Sequence, residues 1–158
     1  MKDMTKTNQK GFSLIELLIV VAIIGIIAAI AIPNLLASRR AANEASAQQS
    51  LRTMVSAEAT YQSTSGNGSY GTVATLGTAG LVDSVLGGGA KSGYNFTTGA
   101  SPAASTTAFV LSAAPSTMGS LPTGTREFCV DQSGVMTSKA AAGTVVATAC
   151  TGFAPTGN

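Results

Sequence analysis

The sequence predicts an α+β protein, in which a long N-terminal helical stem is packed on a small antiparallel β-meander head. The first observation is the segment Gly11–Pro33, which has no polar side chain from Leu17 to Ile32. An apolar run of this length forms a helix that can cross a bilayer, which takes about 20 residues. The second observation is a series of short β-prone runs, separated by turn residues, in the second half of the chain.

The stem is predicted as one long helix over residues 12–63. Its first part, residues 12–37, is apolar on every side and therefore has to be buried in lipid or among other helices. Beyond it the pattern predicts an amphipathic helix with a narrow apolar stripe, formed by Ala47, Leu51, Met54, Val55 and Ala59. On the polar face, Arg40 and Glu44 are expected to form an i,i+4 ion pair.

Residues 64–158 are predicted to form the head. Ser63–Gly80 has the composition of a loop, and Leu81–Leu86 fits one or two helical turns. Asp131–Gly134 fits a type I hairpin turn, with Asp first and Gly fourth. The predicted strands are Tyr94–Thr97, Ala108–Ala113, Glu127–Val130 and Val135–Thr137, with Thr144–Ala149 as a further edge strand.

Composition argues against catalysis and against nucleic-acid binding. The chain has no histidine, which removes Ser-His-Asp and Cys-His nucleophiles and the commonest metal ligand. Residues 1–11 hold three lysines and one aspartate, and six basic and six acidic side chains follow. A product without this leader is neutral in its side chains, so no basic footprint for nucleic acid is expected. We expect a non-enzymatic protein without cofactor or metal.

The two cysteines, Cys129 and Cys150, are expected to form a disulfide. A lone cysteine pair in an exported protein most often makes a structural bridge. This bridge would close a loop of about 20 residues and would pin the C-terminal tail to a strand.

Glu16 interrupts the apolar run one helical turn after Phe12. An acid at such a position costs about 2–3 kcal/mol on membrane-insertion scales, so Glu16 needs a partner. The alternative is a carboxylate that lies near the membrane interface and reaches water. Farther along, Gly25 and Pro33 weaken the helix, because proline lacks the N–H that a helix interior requires.

The residues before the apolar run indicate how the chain is inserted. Met1–Lys10 is polar and basic, and its lysines favour a cytoplasmic N-terminus, a bias that Arg39 and Arg40 weaken. An ordinary secretory signal cleaved after Ala31 is the alternative, since Ala29-Ile30-Ala31 fits its cleavage pattern. Glu16 and the length of the run argue against that alternative.

The motif Gly11-Phe12-Ser13-Leu14-Ile15-Glu16, with its basic leader, the apolar run and Pro33, resembles the class III signal of type IV pilins and pseudopilins. The resemblance covers about a quarter of the chain. It implies that a prepilin peptidase removes residues 1–11 by cutting after Gly11, and that Phe12 is then N-methylated. It further implies that Glu16 acts in subunit docking and that the helix melts around Gly25–Pro33 in a filament.

The resemblance also implies a function. The expected protein is a structural subunit of a type IVa-like pilus, a major pilin, and the C-terminal cysteine pair resembles that class. The precursor would lie in the inner membrane with its head in the periplasm, and the mature subunit in a surface filament. Expected partners are further copies of the chain, membrane lipid, the prepilin peptidase and the pilus assembly machinery.

Two other functions remain open from the sequence. One is a pseudopilin or minor pilin of a type II secretion or DNA-uptake system. The other is a membrane-anchored binding domain that never polymerises.

Overall fold

The computed structural model describes residues 11–98, 108–143 and 150–156. It confirms the α+β fold, with a long N-terminal helix followed by an antiparallel sheet. The three helices are α1 (Leu14–Ser63), α2 (Val73–Thr78) and α3 (Ser84–Gly87). The strands are β1 (Ala90–Lys91), β2 (Tyr94–Thr98), β3 (Val110–Pro115), β4 (Arg126–Asp131), β5 (Met136–Ala140) and β6 (Ala154–Pro155). Their order in the sheet is the order in the chain, and each neighbouring pair is antiparallel.

Helix α1 runs through both Gly25 and Pro33. The chain divides into two compact units, Met1–Leu36 and Ala37–Asn158. The amphipathic part of α1 therefore belongs to the same unit as the sheet.

The core of the second unit joins one face of α1 to the sheet and to the short helices. Ala47, Leu51 and Met54 of the predicted stripe are buried, whereas Val55 is half-buried and Ala59 is exposed. Their partners in the core include Leu76 and Leu86 from the short helices and Tyr94, Leu111 and Phe128 from the sheet. The stripe follows positions 44, 47, 51, 54 and 58, whose alternating spacing of three and four residues marks a single helix face.

In the segment between α1 and the sheet, one prediction was wrong and the start of one predicted helix was too early. The segment Ser63–Gly80, predicted as a loop, contains α2. A capping box starts this helix: Thr72 Oγ1 accepts a hydrogen bond from the Thr75 N–H, and Thr75 Oγ1 accepts one from the Thr72 N–H. The helix predicted at Leu81–Leu86 begins only at Ser84, because the Asp83 carboxylate caps it by accepting the Leu86 N–H at 3.0 Å.

Helices α2 and α3 cross at two glycines. A Cβ atom added to Gly77 or to Gly87 would lie 2.8 Å from the Cα atom of the other. Only glycine at both positions allows this backbone approach, which explains part of the glycine-rich composition of the segment.

The four central strands were predicted within three residues at each end. The turn between β4 and β5 also agrees with the sequence, since the Gly134 N–H donates to the Asp131 carbonyl at 2.9 Å. The edge strand predicted at Thr144–Ala149 lies outside the described residues. Beside β5 lies β6, which pairs Thr137 with Pro155 and Ser138 with Ala154.

A disulfide joins Cys129 on β4 to Cys150, with their Cα atoms 5.5 Å apart. Two further contacts hold the segment that follows Cys150. Lys139 Nζ lies 4.5 Å from the centre of the Phe153 ring, and the Thr156 N–H donates to the Met136 carbonyl at 3.0 Å. The C-terminal segment is thus attached to β4 by a covalent bond and to β5 by weaker contacts.

Loss of this disulfide is expected to lower the free energy of unfolding by roughly 3 kcal/mol, the chain-entropy estimate for a loop of this size. We expect the oxidised protein to unfold at higher urea concentration than the reduced protein. The Cys129→Ala/Cys150→Ala variant should have a free energy of unfolding close to that of the reduced protein, lowered only by the packing that its smaller side chains lose. Urea titration with and without reductant measures the difference. Peptide mapping that finds both thiols free in the native protein would reject the bridge.

Candidate functional site

The N-terminal end of α1 places the predicted cleavage and docking residues next to one another. Gly11, Phe12 and Ser13 precede the helix, and all three are exposed. Glu16 Oε2 accepts a hydrogen bond from the Ser13 N–H at 2.9 Å. This is one half of a capping box, in which the third helical residue reaches back to the N-cap backbone. Glu16 therefore has a local partner within its own chain, which the sequence analysis did not predict.

The Gly11–Phe12 junction is open. A Cβ atom added to Gly11 would meet nothing within 4 Å, and Phe12 is 85% exposed. On its described residues, the junction is therefore accessible, as a peptide has to be for a peptidase to bind it.

No residue in the apolar part of α1 is buried within the described chain. From Leu14 to Leu35, its large apolar side chains are exposed to between 48%, at Val20, and 78%, at Leu14, and Leu36 is half-buried. Among the described residues, α1 is the one helix long and apolar enough to cross a membrane. Such a surface requires a lipid or protein environment, because a soluble monomer rarely exposes an apolar patch larger than a few hundred Å².

Glu44 attaches the start of β4 to α1. Its Oε1 accepts hydrogen bonds from the N–H and the hydroxyl of Thr125, each at 2.8 Å. Its Oε2 accepts from Arg126, with Nη2 at 2.8 Å and Nε at 2.9 Å. The predicted pair with Arg40 is therefore wrong: Glu44 is buried on the stripe face, and its basic partner comes from the sheet.

Glu58 is the second acid on the same helix face, and it is fully buried. Its Oε2 accepts the Gly71 N–H at 2.8 Å, which attaches the segment before α2 to α1. Its Oε1 has no hydrogen-bond partner among the described residues. Neither acid was predicted to be buried, although their positions continue the alternating spacing of Ala47, Leu51 and Met54.

The two acids have pKa values that are displaced in opposite directions. Burial alone would raise the pKa of Glu44, but the hydrogen bonds from Thr125 and Arg126 outweigh it, and the pKa is lowered. Burial raises the pKa of Glu58, and the bond from Gly71 offsets only part of that effect. Ionised Glu44 therefore stabilises the head, whereas ionised Glu58 destabilises it.

Glu44→Gln and Glu58→Gln are expected to change stability in opposite directions at neutral pH, each by about 1 to 3 kcal/mol. The stability that Glu44 contributes is present above the ordinary glutamate pKa of about 4.3. It is lost as the pH falls through the lower pKa that Glu44 has in the folded protein. The stability that protonated Glu58 contributes is present below the ordinary glutamate pKa. It is lost as the pH rises through the higher pKa that Glu58 has in the folded protein. Glu44→Gln should therefore destabilise and Glu58→Gln stabilise the protein at pH 7.

Urea titration of the full-length protein in detergent, repeated across acidic and neutral pH, checks both variants against each other. Both differences from wild type should shrink as the pH is lowered and the carboxyl groups become protonated. A Glu58→Gln variant that is less stable than wild type at neutral pH would contradict the account of Glu58.

The other acids of the head each have a partner of their own. Asp83 pairs with Lys91 at 2.8 Å, and Glu127 pairs with Lys139 at 3.2 Å. Asp131 Oδ1 accepts the Ser133 N–H at 2.9 Å within the hairpin turn. Within the described residues, no three acidic or cysteine side chains form a group that could hold a metal ion.

The N-terminal segment of the chain matches a known family model. Residues 6–32 match the family model described as the prokaryotic N-terminal methylation motif. The matched range contains the Gly11–Phe12 junction, Glu16 and most of the apolar run. No solved structure matches the chain.

Curated relatives match this chain over short segments of 29 to 55 residues. The type IV wide pilus major component PilA4 of Thermus thermophilus is 54% identical over 55 residues, 35% of this chain and 42% of the relative. The type IV major pilin protein PilA of Myxococcus xanthus is 46% identical over 54 residues, 34% of this chain and 24% of the relative. A type IV major fimbrial protein FimA of Dichelobacter nodosus is 79% identical over 29 residues, 18% of this chain and 19% of the relative.

The matches span less than half the length of these relatives. The printed names of these relatives, which are pilins and fimbrial proteins, agree with the methylation motif that the family model describes. The N-terminal segment of this chain therefore carries the prokaryotic N-terminal methylation motif and is similar to the N-terminal segments of type IV major pilins.

Proposed function

We propose that this chain is a structural subunit of a type IV pilus, of the major, type IVa-like kind. The observation that carries the proposal is the coincidence of the methylation motif at residues 6–32 with a helix whose apolar part is exposed on every side. Such a helix can lie in lipid as a precursor and among copies of itself in a filament. The C-terminal disulfide supports a type IVa-like subunit over a major pseudopilin.

The proposed sequence of events follows from these parts. The precursor lies in the inner membrane, with its N-terminus in the cytoplasm and its head in the periplasm. The prepilin peptidase cuts after Gly11, and Phe12 becomes the N-methylated terminus. The amine of Phe12 then pairs with Glu16 of a neighbouring copy as the assembly machinery extracts the subunit. Apolar helices form the filament core, and the heads form its outer layer.

Electron microscopy of shed surface fibres, combined with mass spectrometry of their main component, tests the proposal. We expect this chain to be that component, with a mature terminus at methylated Phe12. Fibres without this chain would contradict a major subunit and leave the minor pilin or pseudopilin alternative. A terminus at Ile32 would instead support the secretory alternative.

Within the filament, the segment Gly25–Pro33 is proposed to be the least regular part of α1. In the isolated chain it is helical. A side chain has free space around Gly25, so glycine is not required there by packing within the chain. Pro33 removes one backbone hydrogen bond, and Gly25 costs up to about 1 kcal/mol relative to alanine. A filament map with unbroken i→i−4 bonding through Ile32 would refute this prediction.

A further inference from the structure

A short connecting segment, Ser69–Thr72, runs between two anchored positions of the chain. On one side of it, the Gly68 N–H donates to the Gln62 carbonyl in the last turn of α1 at 3.0 Å. On the other side, Val73, the first residue of α2, donates its N–H to Thr98 Oγ1 of β2 at 2.9 Å. The connecting segment can therefore leave its place while α1 and α2 keep their own bonds.

Glu58 holds the connecting segment on α1. Its Oε2 accepts the Gly71 N–H at 2.8 Å. The Tyr61 ring lies against the same residue, since a Cβ atom added to Gly71 would come within 3.1 Å of that ring. Tyr70 packs edge-on against Phe109, with the ring centres 4.8 Å apart. One bond to a carboxylate and two aromatic contacts therefore keep the segment in place.

The sequence next to Glu58 and the strands of the same core bring no countercharge. Residues 59–82 contain no Asp, Glu, Lys or Arg, and β2 and β3 contain none either. Residues 99–107 and 144–149, which lie outside the described ranges, also lack them. The titratable side chains of these neighbouring elements are Tyr61, Tyr70 and Tyr94. Tyrosine is uncharged in acidic and neutral solution.

The other charged side chains that follow Arg40 are exposed or have partners of their own. Arg52 is exposed and lies about 240° around α1 from Glu58. Glu44, which binds Arg126, lies about 21 Å away along α1 at 1.5 Å per residue. The remaining ones are the pairs Asp83–Lys91 and Glu127–Lys139, and Asp131, which accepts the Ser133 N–H within its own turn.

Ionisation of Glu58 acts on this attachment in two opposing ways. A carboxylate accepts an N–H more strongly than a neutral acid does, which favours the bond from Gly71. The charge must also leave water, and Oε1 has no hydrogen-bond partner among the described residues to compensate for this. Burial outweighs the single bond, so the pKa of Glu58 is raised. Its charged form therefore favours an open segment, in which both oxygens reach water.

We propose that Glu58 is a pH-responsive latch, which holds Ser69–Thr72 on α1 when it is protonated and releases this segment when it is ionised. Acidic solution keeps the segment closed, whereas neutral solution lets it open and separates the Tyr70 and Phe109 rings. The release is local, because both ends of the segment keep their own bonds. All of these contacts lie within residues 37–158, so the inference does not depend on the proposed function.

Amide hydrogen exchange, followed by NMR on the full-length protein in detergent, measures this opening at the Gly71 N–H. After correction for the intrinsic exchange rate, we expect protection of this amide to fall by up to tenfold for each pH unit above the ordinary glutamate pKa of about 4.3. The fall should level off once the pH exceeds the higher pKa that Glu58 has in the closed state. Glu44, whose pKa is lowered, is already ionised in this range and adds nothing to the change.

One amide and two variants serve as matched controls. The Gly68 N–H is bonded to a backbone carbonyl, which does not titrate, so its protection should stay constant across the range. Glu58→Gln should give Gly71 protection that does not change with pH, because its neutral amide has no charge to bring into water. Glu44→Gln removes the other buried acid of the same helix face and should leave the fall in Gly71 protection in place.

Low concentrations of urea separate local release from unfolding of the whole head. A local opening exposes little surface, so the exchange of Gly71 should hardly respond to urea. The Phe96 N–H, which is bonded to the Gly89 carbonyl at 2.7 Å in the buried part of β2, reports global unfolding. We expect Gly71 to be less protected than Phe96 at neutral pH and less sensitive to urea.

Three results would overturn the inference. Gly71 protection that is constant or rises with pH would mean that ionised Glu58 does not release the segment. The same fall in the Glu58→Gln protein would assign the pH dependence to another group. Equal protection and equal urea sensitivity at Gly71 and Phe96 would mean that the segment opens only when the whole head unfolds.

Discussion

Gly11→Leu is expected to leave the precursor uncleaved, so that the protein retains residues 1–11 and no fibres form. A peptidase has to bring its catalytic groups against the backbone of an extended peptide, and glycine permits the closest backbone approach. The effect should not arise from misfolding, because a Cβ atom at this position meets nothing within 4 Å among the residues that the structure describes. Intact-mass measurement of the membrane fraction distinguishes precursor from product.

Gly25→Ala is the matched control for this substitution. Gly25 also lies in the N-terminal segment with open space around its Cα atom, but it is outside the proposed cleavage junction. Its replacement should leave cleavage unchanged. Normal processing of Gly11→Leu, with a terminus at Phe12, would show that the junction is recognised elsewhere.

The sequence predicted those parts of the fold whose signals are local and periodic. The apolar run fixes a helix because no other backbone arrangement satisfies its N–H and C=O groups in lipid. The stripe positions Ala47, Leu51 and Met54 were found by their helical spacing, and the Asp131–Gly134 turn was found by its residue types. Helix α2 was missed because it is six residues long and has little periodicity, so its only signal was the Thr72–Thr75 capping box.

Glu44 and Glu58 were missed for a different reason. A glutamate on a predicted helix is normally assigned to the solvent face, since acids are almost never fully buried unless paired. Their partners, Thr125 and Arg126 for one and Gly71 for the other, are distant in sequence and depend on the tertiary fold. Only their spacing relative to the stripe could have indicated that they face the head.

Glu16→Leu is expected to leave membrane insertion and cleavage largely intact yet to abolish fibres or reduce them sharply. The two residues on each side of Glu16, Leu14, Ile15, Leu17 and Leu18, are all apolar. The nearest cation after cleavage is the amine of Phe12, either in the same chain or in a neighbour. In a partly dry filament core a pair at 4 Å gains about 4 kcal/mol of Coulomb energy, but desolvation offsets much of this gain.

The hydrogen bond from Ser13 to Glu16 allows a second explanation for any loss of fibres. Glu16 Oε2 caps α1 in the isolated chain, and loss of a helix cap typically costs about 1 kcal/mol. Leucine removes both the cap and the charge. Glutamine keeps an oxygen that can accept the Ser13 N–H, as capping boxes with Gln do, but it cannot form an ion pair with an amine.

The pair of variants therefore separates docking from capping. We expect both Glu16→Gln and Glu16→Leu to yield cleaved, membrane-inserted protein with few or no fibres, because we propose that the charge on Glu16 sets the register between subunits. Electron microscopy of the cell surface and mass spectrometry of the membrane fraction measure the two steps separately. Normal fibres from Glu16→Gln together with none from Glu16→Leu would assign the residue to the helix cap. Abundant, ordered fibres from Glu16→Leu cells would contradict both roles and leave Glu16 as a carboxylate that only reaches the membrane interface.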